Sequence, residues 1–305
     1  MVDLSINVGS LTFQNPVMLA SGTCGFGREL SEYLDFSKIG GICSKGLTLL
    51  PREGNPGCRT AETASGMLNS VGLQNPGLEV FLEKELPFMT GLGTRVIINV
   101  AGHSTEDYQR MVECLGAPGM PVDALELNLS CPNVKKGCMT IGATAEGVYG
   151  MLRAVRDLTD KPLWVKLTPN VTSITTTALA AQEAGGDAVV LINTLLGLAI
   201  DIKTRRPVLQ NNTGGLSGPA IKPVALRMIQ ECCHVLTIPI IGVGGIMNAA
   251  DVIEFMLAGA AAIEVGTATL LHPAACAKIV DDLAAYALEN NIANISSLTG
   301  ALLPW

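Results

Sequence analysis

The segment Ala124-Leu-Glu-Leu-Asn-Leu129, followed by Ser130-Cys-Pro-Asn133, is a mostly apolar run that ends abruptly in polar side chains. Such a run, bounded by turn residues, is typical of a strand that is covered on both faces of a parallel sheet. Pro132 restricts the backbone after the strand and removes one donor. The loop that follows carries a thiol, a hydroxyl and a carboxamide. A cysteine at such a turn favours a reactive role, with a structural loop cysteine as the alternative.

The same arrangement recurs along the 305-residue chain, where eight short apolar runs alternate with segments of helical character. This alternation predicts an α/β fold, the (β/α)8 TIM barrel, rather than a doubly wound sheet, which usually has fewer strands. No linker is apparent, so residues 1–305 are expected to form a single domain. The predicted strands are 17–20, 39–43, 95–100, 124–129, 163–167, 188–193, 239–243 and 262–265.

Capping signals mark several of the helices between these strands. Residues 104–107 resemble a capping box, and Asn248 is suited to cap a helix that stops at Gly259. The Ala-rich segment 177–184 is expected to be helical as well.

Three further segments are expected at the two ends of the barrel. Residues 4–13 predict a β-hairpin at its bottom. The long connections 48–76 and 195–218 each follow a strand, which places both insertions on the C-terminal face, where barrel active sites lie.

Composition excludes several classes of protein. A net charge of −7 without a basic run makes nucleic acid an improbable partner. Mean hydropathy is high at +0.39, but no apolar run reaches the roughly 18 residues of a membrane span. Nine irregularly spaced cysteines indicate reduced thiols, with no spacing for zinc or an iron–sulfur cluster and no metal site expected. Together with the absence of a signal-peptide pattern, this predicts a cytoplasmic protein.

The ends of the predicted strands indicate a ligand site, because polar or glycine residues follow all eight of them. An isolated strand-end Asn is usually a turn former, but a pattern on every strand favours function. The residues are Ser21-Gly22-Thr23, Ser44-Lys45-Gly46, Asn99, Asn128, Lys166, Asn193-Thr194, Gly244-Gly245 and Gly266-Thr267.

Two kinds of chemistry are suggested at these ends. Glycines after the seventh and eighth strands, with a helix starting at Asn248, favour a phosphate site over ordinary glycine turns. Lys45 and Lys166 are expected to direct cations into the barrel mouth, although surface lysines are the alternative. Lys166 is suited either to a Schiff base or to stabilising negative charge on a cofactor.

Several motifs together resemble the dihydroorotate dehydrogenase family along nearly the whole chain. The Cys131 motif is similar to class 1 of the family, and segments 69–77 and 202–208 are similar to its 1B type. The motifs are Ala20-Ser-Gly-Thr23, Ser44-Lys45-Gly46, Asn69-Ser-Val-Gly-Leu-Gln-Asn75, Asn128-Leu-Ser-Cys-Pro-Asn133, Val165-Lys166-Leu167, Ile192-Asn193-Thr194, Gly214-Gly-Leu-Ser-Gly-Pro-Ala220 and Gly242-Val-Gly-Gly245.

The resemblance implies oxidation of (S)-dihydroorotate to orotate in de novo pyrimidine (UMP) biosynthesis. Cys131 would be the general base at C5, and FMN on this chain would accept a hydride from C6. Electrons would then pass to a partner subunit that carries FAD and [2Fe-2S], and on to NAD+. Two catalytic and two electron-transfer subunits would form a heterotetramer.

The resemblance also implies roles for individual residues. The expected substrate-binding residues are Lys45, Asn69, Ser70, Val71, Gly72, Leu73, Asn128, Asn133, Asn193 and Thr194. The expected FMN-binding residues are Ser21, Gly22, Lys45, Gly46, Asn99, Asn128, Lys166, Ile192, Gly218, Gly244, Gly245, Gly266 and Thr267.

Four other functions stay open on the sequence. A class 1A enzyme would use fumarate as its acceptor, and a dihydropyrimidine dehydrogenase shares the barrel and the cysteine loop. A Schiff-base aldolase would use Lys166 as its nucleophile. A non-catalytic barrel would bind a ligand without flavin.

Overall fold

Eight of the strands are parallel and close into a barrel in the computed structural model, which describes residues 2–129 and 141–305. All eight predicted strands are confirmed, with small shifts at their ends. The barrel strands, in order around the barrel, are β3 (Val17–Leu19), β4 (Gly41–Cys43), β7 (Arg95–Val100), β8 (Ala124–Asn128), β9 (Leu163–Lys166), β10 (Ala188–Leu191), β15 (Ile240–Val243) and β16 (Ala262–Val265).

Helices follow most of these strands and cover the outside of the barrel. The α-helices of the described residues are α1 (Leu78–Val80), α2 (Leu86–Thr90), α3 (Thr105–Leu115), α4 (Ala145–Arg156), α5 (Ile174–Glu183), α6 (Lys222–Cys233), α7 (Ala249–Ala258), α8 (Thr267–Leu271) and α9 (Ala275–Glu289). A π-helical turn, Phe81–Glu85, joins α1 to α2, and 3-10 turns lie at Phe36–Lys38, Pro219–Ile221 and Ile295–Leu298.

The predicted caps form where the sequence places them. Ser104 accepts a hydrogen bond from the backbone N–H of Asp107 at the start of α3. Asn248 and Asp251 form a reciprocal capping box at the start of α7. The apolar faces of both helices are buried against the barrel.

The N-terminal hairpin is confirmed at the bottom of the barrel. It consists of β1 (Ile6–Val8) and β2 (Leu11–Phe13), which pair antiparallel around a turn at Gly9. Phe13 packs against Trp164, near the start of β9, with ring centroids 6.1 Å apart. The hairpin therefore closes the end of the barrel opposite the strand ends that carry the polar residues.

The two long insertions form sheets instead of simple loops. The first insertion contains β5 (Thr60–Thr63) and β6 (Gly66–Asn69), and the second contains β11 (Leu195–Gly197) and β14 (Gly214–Ser217). These four strands form one antiparallel sheet in the order β11-β14-β6-β5. A two-stranded ribbon, β12 (Ile200–Asp201) and β13 (Arg206–Pro207), extends the second insertion. This sheet holds Asn69 opposite Gly215, at the C-terminal face of the barrel.

In the described part of the chain, no helix is both long enough and apolar enough to cross a membrane.

Candidate active site

The carboxyl ends of the barrel strands and the insertion sheet surround a cavity of about 280 Å³. Most of the residues predicted to bind substrate or FMN line it, because parallel strands end at the same edge of the sheet. Those that line it are Ser21, Gly22, Lys45, Gly46, Asn69, Val71, Gly72, Leu73, Asn99, Asn128, Lys166, Ile192, Asn193, Thr194, Gly218, Gly244, Gly245, Gly266 and Thr267.

Three of the residues that the resemblance assigns to the site are not among the lining residues, and neither is Ser44, a fully buried strand-end residue. Ser70 is fully buried, and its backbone N–H donates to the carbonyl of Arg59, so it lies within the insertion wall and not on the cavity surface. Cys131 and Asn133 lie outside the described residues.

Eight further residues line the cavity that the resemblance did not assign to substrate or FMN, although Thr23 is one of the strand-end residues predicted to mark a ligand site. Most are next to a predicted site residue or face it from the insertion sheet. They are Ala20, Thr23, Thr60, Met67, Ser217, Ile221, Val243 and Leu270. Ser217 had a signal, since it belongs to the Gly-Leu-Ser-Gly motif, and its hydroxyl accepts a hydrogen bond of 2.9 Å from Thr267 Oγ1.

A chain of hydrogen bonds fixes the carboxamides at the ends of β7 and β8. Asn128 Nδ2 donates to Asn99 Oδ1 at 3.2 Å, and Asn99 Nδ2 donates to Glu126 Oε1 at 2.5 Å. The buried hydroxyl of Tyr108 donates to the backbone carbonyl of Asn128 at 2.8 Å. Because both amide groups are oriented from within the barrel, their orientation does not depend on a ligand.

The glycines after β15 and β16 form the floor of one end of the cavity. Gly244 and Gly245 have positive φ angles of 132° and 82°, which only glycine adopts readily. A Cβ on Gly245 would lie 2.8 Å from the carbonyl oxygen of Gly218. The two chain segments therefore approach closely only because side chains are absent from this floor.

The start of helix α7 contributes less to an anion site than the sequence suggested. The carboxylate of Asp251 accepts the backbone N–H groups of Met247 and Asn248, at 2.8 and 3.2 Å. Lys222 in turn donates to Asp251 at 2.7 Å. The capping box thus occupies the N–H of Asp251 and places a carboxylate beside this helix end, so the glycine floor is the part better suited to a phosphate.

The residues fit FMN at both ends of the cavity. The glycine floor and the hydroxyl groups of Ser217 and Thr267 suit a phosphate, which needs close backbone approach and donors. At the first strand end, a Cβ on Gly22 would meet open space in the cavity, so a flat ring can approach the backbone there. Asn99, Asn128 and Lys166 supply polar groups at the opposite wall.

Below the cavity lies a charged cluster inside the barrel, which we call the interior triad: Glu126, Lys166 and Glu264. Lys166 Nζ lies 2.7 Å from Glu264 Oε2 and 3.5 Å from Glu126 Oε1. Both carboxylates are fully buried, and Glu126 Oε2 and Glu264 Oε1 have no hydrogen-bond partner within the described residues. Cys43 Sγ also contacts Glu126 Oε1, at 3.4 Å.

Electrostatics within the triad favour the ammonium form of Lys166 and the protonated form of Glu264. Burial and the neighbouring Glu126 raise the pKa of Glu264 to about 8. Burial acts to lower the pKa of Lys166, but Glu126 and Glu264 outweigh it, and the pKa of the ammonium lies above its usual range. Burial likewise raises the pKa of the Cys43 thiol well above its usual range.

These directions argue against Lys166 as a Schiff-base nucleophile. A nucleophilic lysine needs a lowered pKa, so that its amine is neutral. Lys166 is instead held as an ammonium by two carboxylates and is only 4% exposed. The same ammonium is well placed to stabilise negative charge in the cavity.

Comparison with known proteins gives the family. The family profile described as dihydroorotate dehydrogenase matches residues 3–286. The chain is 50% identical to the "dihydroorotate dehydrogenase B (NAD(+)), catalytic subunit" of Geotalea uraniireducens, covering 99% of this chain and 98% of that protein. The protein of the same name from Bacteroides thetaiotaomicron is also 50% identical, with 99% of each chain covered.

A solved structure shows the same fold. The crystal structure of DHODH in complex with ferulenol, from Eimeria tenella, superposes with a TM-score of 0.82 at 24% identity, covering 98% of this chain and 88% of that chain. The profile match over residues 3–286 and the half-identical relatives show that the chain belongs to the dihydroorotate dehydrogenase family.

Proposed function

We propose that this chain is the catalytic subunit of an NAD+-linked dihydroorotate dehydrogenase, which oxidises (S)-dihydroorotate to orotate. The observation that carries the proposal is the cavity whose wall joins carboxamides, two lysines and a glycine floor. The names of the half-identical relatives support the substrate and the acceptor.

The substrate would lie among amide and ammonium groups. Carboxamides suit a ring with both N–H and C=O groups, because each carboxamide both donates and accepts. Asn69, Asn128 and Asn193 provide three of them from different elements, and the resemblance adds Asn133. Lys45 would pair with the substrate carboxylate from the end of β4. Thr194 and residues 71–73 would complete the wall.

FMN would be held along the opposite side. Its phosphate would contact the glycine floor of Gly244, Gly245 and Gly266, with Gly218 and Thr267 beside it. Its ring would lie near Ser21, Gly22, Gly46 and Ile192 and against Asn99 and Lys166. When bound, FMN supplies the hydride acceptor for the C6 hydrogen of the substrate.

The chain's own residues would handle the proton. Cys131, two residues beyond the buried Leu129, would accept the proton from C5 as a thiolate, the general base that the resemblance implies. A free thiol has a pKa of about 8.5, so the thiolate fraction rises with pH. Tyr108 would hold the end of β8, three residues before Cys131 in the sequence, through its hydrogen bond to the carbonyl of Asn128.

Electrons would leave through a partner. We expect a second subunit with FAD and [2Fe-2S] to carry them from FMN to NAD+, in a heterotetramer with two copies of each chain. The test is a reconstitution: the FMN-loaded chain alone should reduce an artificial dye with dihydroorotate but should not reduce NAD+. Addition of the electron-transfer subunit should confer NAD+ reduction. Fumarate reduction by the chain alone would favour the class 1A alternative.

A further inference from the structure

The interior triad has a feature that substrate or cofactor binding does not require. Lys166 lines the cavity, but its ammonium is directed to Glu264, on the far side of the barrel interior. β9 and β16 are not neighbours in the barrel, so this contact crosses the barrel and is not part of strand pairing.

The charges of the triad do not balance when all three groups are ionised. Two carboxylates and one ammonium give a net charge of −1 in the buried interior of the barrel. Glu126 has three nearby groups on one oxygen, Asn99 Nδ2, Cys43 Sγ and Lys166 Nζ, whereas the donor to Glu264 among the described residues is Lys166. Glu126 Oε1 therefore has more neighbouring donors than Glu264 has, and burial together with the neighbouring Glu126 favours the protonated form of Glu264.

The groups that face Glu264 come from four elements of the barrel. They are Cys24 after β3, Cys43 on β4, Glu126 on β8 and Lys166 on β9. Both thiols are buried, and burial raises the pKa of Cys24 to about 12, so neither thiol changes charge near neutral pH. Burial and Glu126 raise the pKa of Glu264 to about 8, so the charge of Glu264 changes between pH 7 and 9.

We propose that Glu264 is a positioning residue that, through its contact with Lys166, sets the reduction potential of the bound flavin and makes it depend on pH. The proposal rests on the proposed function, since it needs FMN in the cavity. With Glu264 protonated, the triad is neutral and Lys166 favours the negative charge that reduction adds. With Glu264 ionised, the triad has a net charge of −1. This charge repels the negative charge that reduction adds to the flavin, and it therefore lowers the reduction potential of the flavin.

The test compares the flavin potential of the wild-type chain with that of Glu264→Gln, by anaerobic dye-coupled titration of the FMN-loaded full chain from pH 6 to 9.5. The carboxamide that this substitution introduces can accept from Lys166 but stays neutral. The two potentials should agree at pH 6. At pH 9.5 the wild-type flavin should be at least tenfold harder to reduce, which is a lower potential by about 30 mV for a two-electron couple.

The controls separate this effect from a structural one. Glu231→Gln, which removes an exposed carboxylate paired with Arg227, should track the wild type at every pH. Glu264→Met, of similar length, serves as a second neutral variant. An offset that is equal at all pH values, or no difference, would overturn the proposal, as would loss of flavin from both Glu264 variants. A wild-type chain that binds no flavin would instead overturn the proposed function.

Discussion

Lys166 donates a hydrogen bond of 2.7 Å to Glu264 across the interior of the barrel, between strands that are not neighbours. Buried ion pairs of this kind rarely add net stability, because removing the charges from water costs more than their attraction returns. The triad is therefore better explained by the charge it places under the cavity than by folding.

The interior triad should make the free energy of unfolding depend on pH. The pKa of Glu264 is raised from its ordinary value of 4.5 to about 8 in the folded chain. The folded state then binds more protons than the unfolded state between these values, so stability falls as pH rises through this window. We expect Glu264→Gln to lose this dependence and to exceed the wild type above pH 8 by a few kcal/mol, since one pKa unit corresponds to about 1.4 kcal/mol.

Urea unfolding of both chains at pH 5, 7 and 9 measures the effect. Glu231→Gln, at the surface, provides the control and should follow the wild type. Parallel curves for wild type and Glu264→Gln would show that Glu264 does not retain a proton in the folded chain.

The hydroxyl of Tyr108 should matter for both stability and turnover. It is fully buried and donates to the carbonyl of Asn128, three residues before Cys131 in the sequence. Tyr108→Phe should cost about 1–2 kcal/mol, because a buried carbonyl loses its partner. It should also lower kcat several-fold, because Asn128 lines the cavity and precedes Cys131 in the sequence. Tyr149→Phe, at an exposed position on α4, is the matched control. Equal behaviour of the two variants in unfolding and steady-state kinetics would contradict this role.

The backbone at Gly22 should be required for flavin binding. Gly22 has a φ of +96°, and a Cβ there would enter the cavity. Gly119 serves as the control, because it has a φ of +82° and equally open surroundings but is not among the cavity residues. Alanine at either site should cost about 1 kcal/mol of stability through backbone strain. Only Gly22→Ala should also weaken FMN binding, by about tenfold or more, measured by fluorescence quenching on titration. Equal FMN affinity in both variants would show that Gly22 does not contribute to FMN binding.

Much of the fold and the site can be predicted from local sequence. Each strand is an apolar run with a polar end, and parallel strands bring these ends to one edge. That is why Lys45, Asn99 and Asn193, far apart in sequence, line one cavity.

The features that sequence reasoning missed depend on contacts between distant segments. The insertion sheet pairs Asn69 with Gly215, and no local pattern predicts that register. The interior triad also depends on contacts between distant segments. The only sign of it in the sequence is that Glu126 and Glu264 interrupt apolar strands. Their partner became evident only when the barrel brought β8, β9 and β16 together.

The thiol of Cys131 should control flavin reduction. Cys131→Ala should retain FMN but lose reduction by dihydroorotate by about 10²–10⁴-fold, the usual contribution of a general base. In the wild type, the rate of flavin reduction should rise with pH through the titration of the thiol, measured by stopped flow. A rate that is flat with pH, or unchanged in Cys131→Ala, would exclude this cysteine as the base.

The most direct test of the account is anaerobic mixing of the purified, FMN-loaded chain with dihydroorotate, with flavin absorbance as the readout. We expect the yellow absorbance to bleach with one equivalent of dihydroorotate and to stay unchanged with dihydrouracil, because the proposed pairing of Lys45 with the substrate carboxylate would select a carboxylated ring. Bleaching by dihydrouracil but not by dihydroorotate, or a chain that binds no flavin, would contradict it.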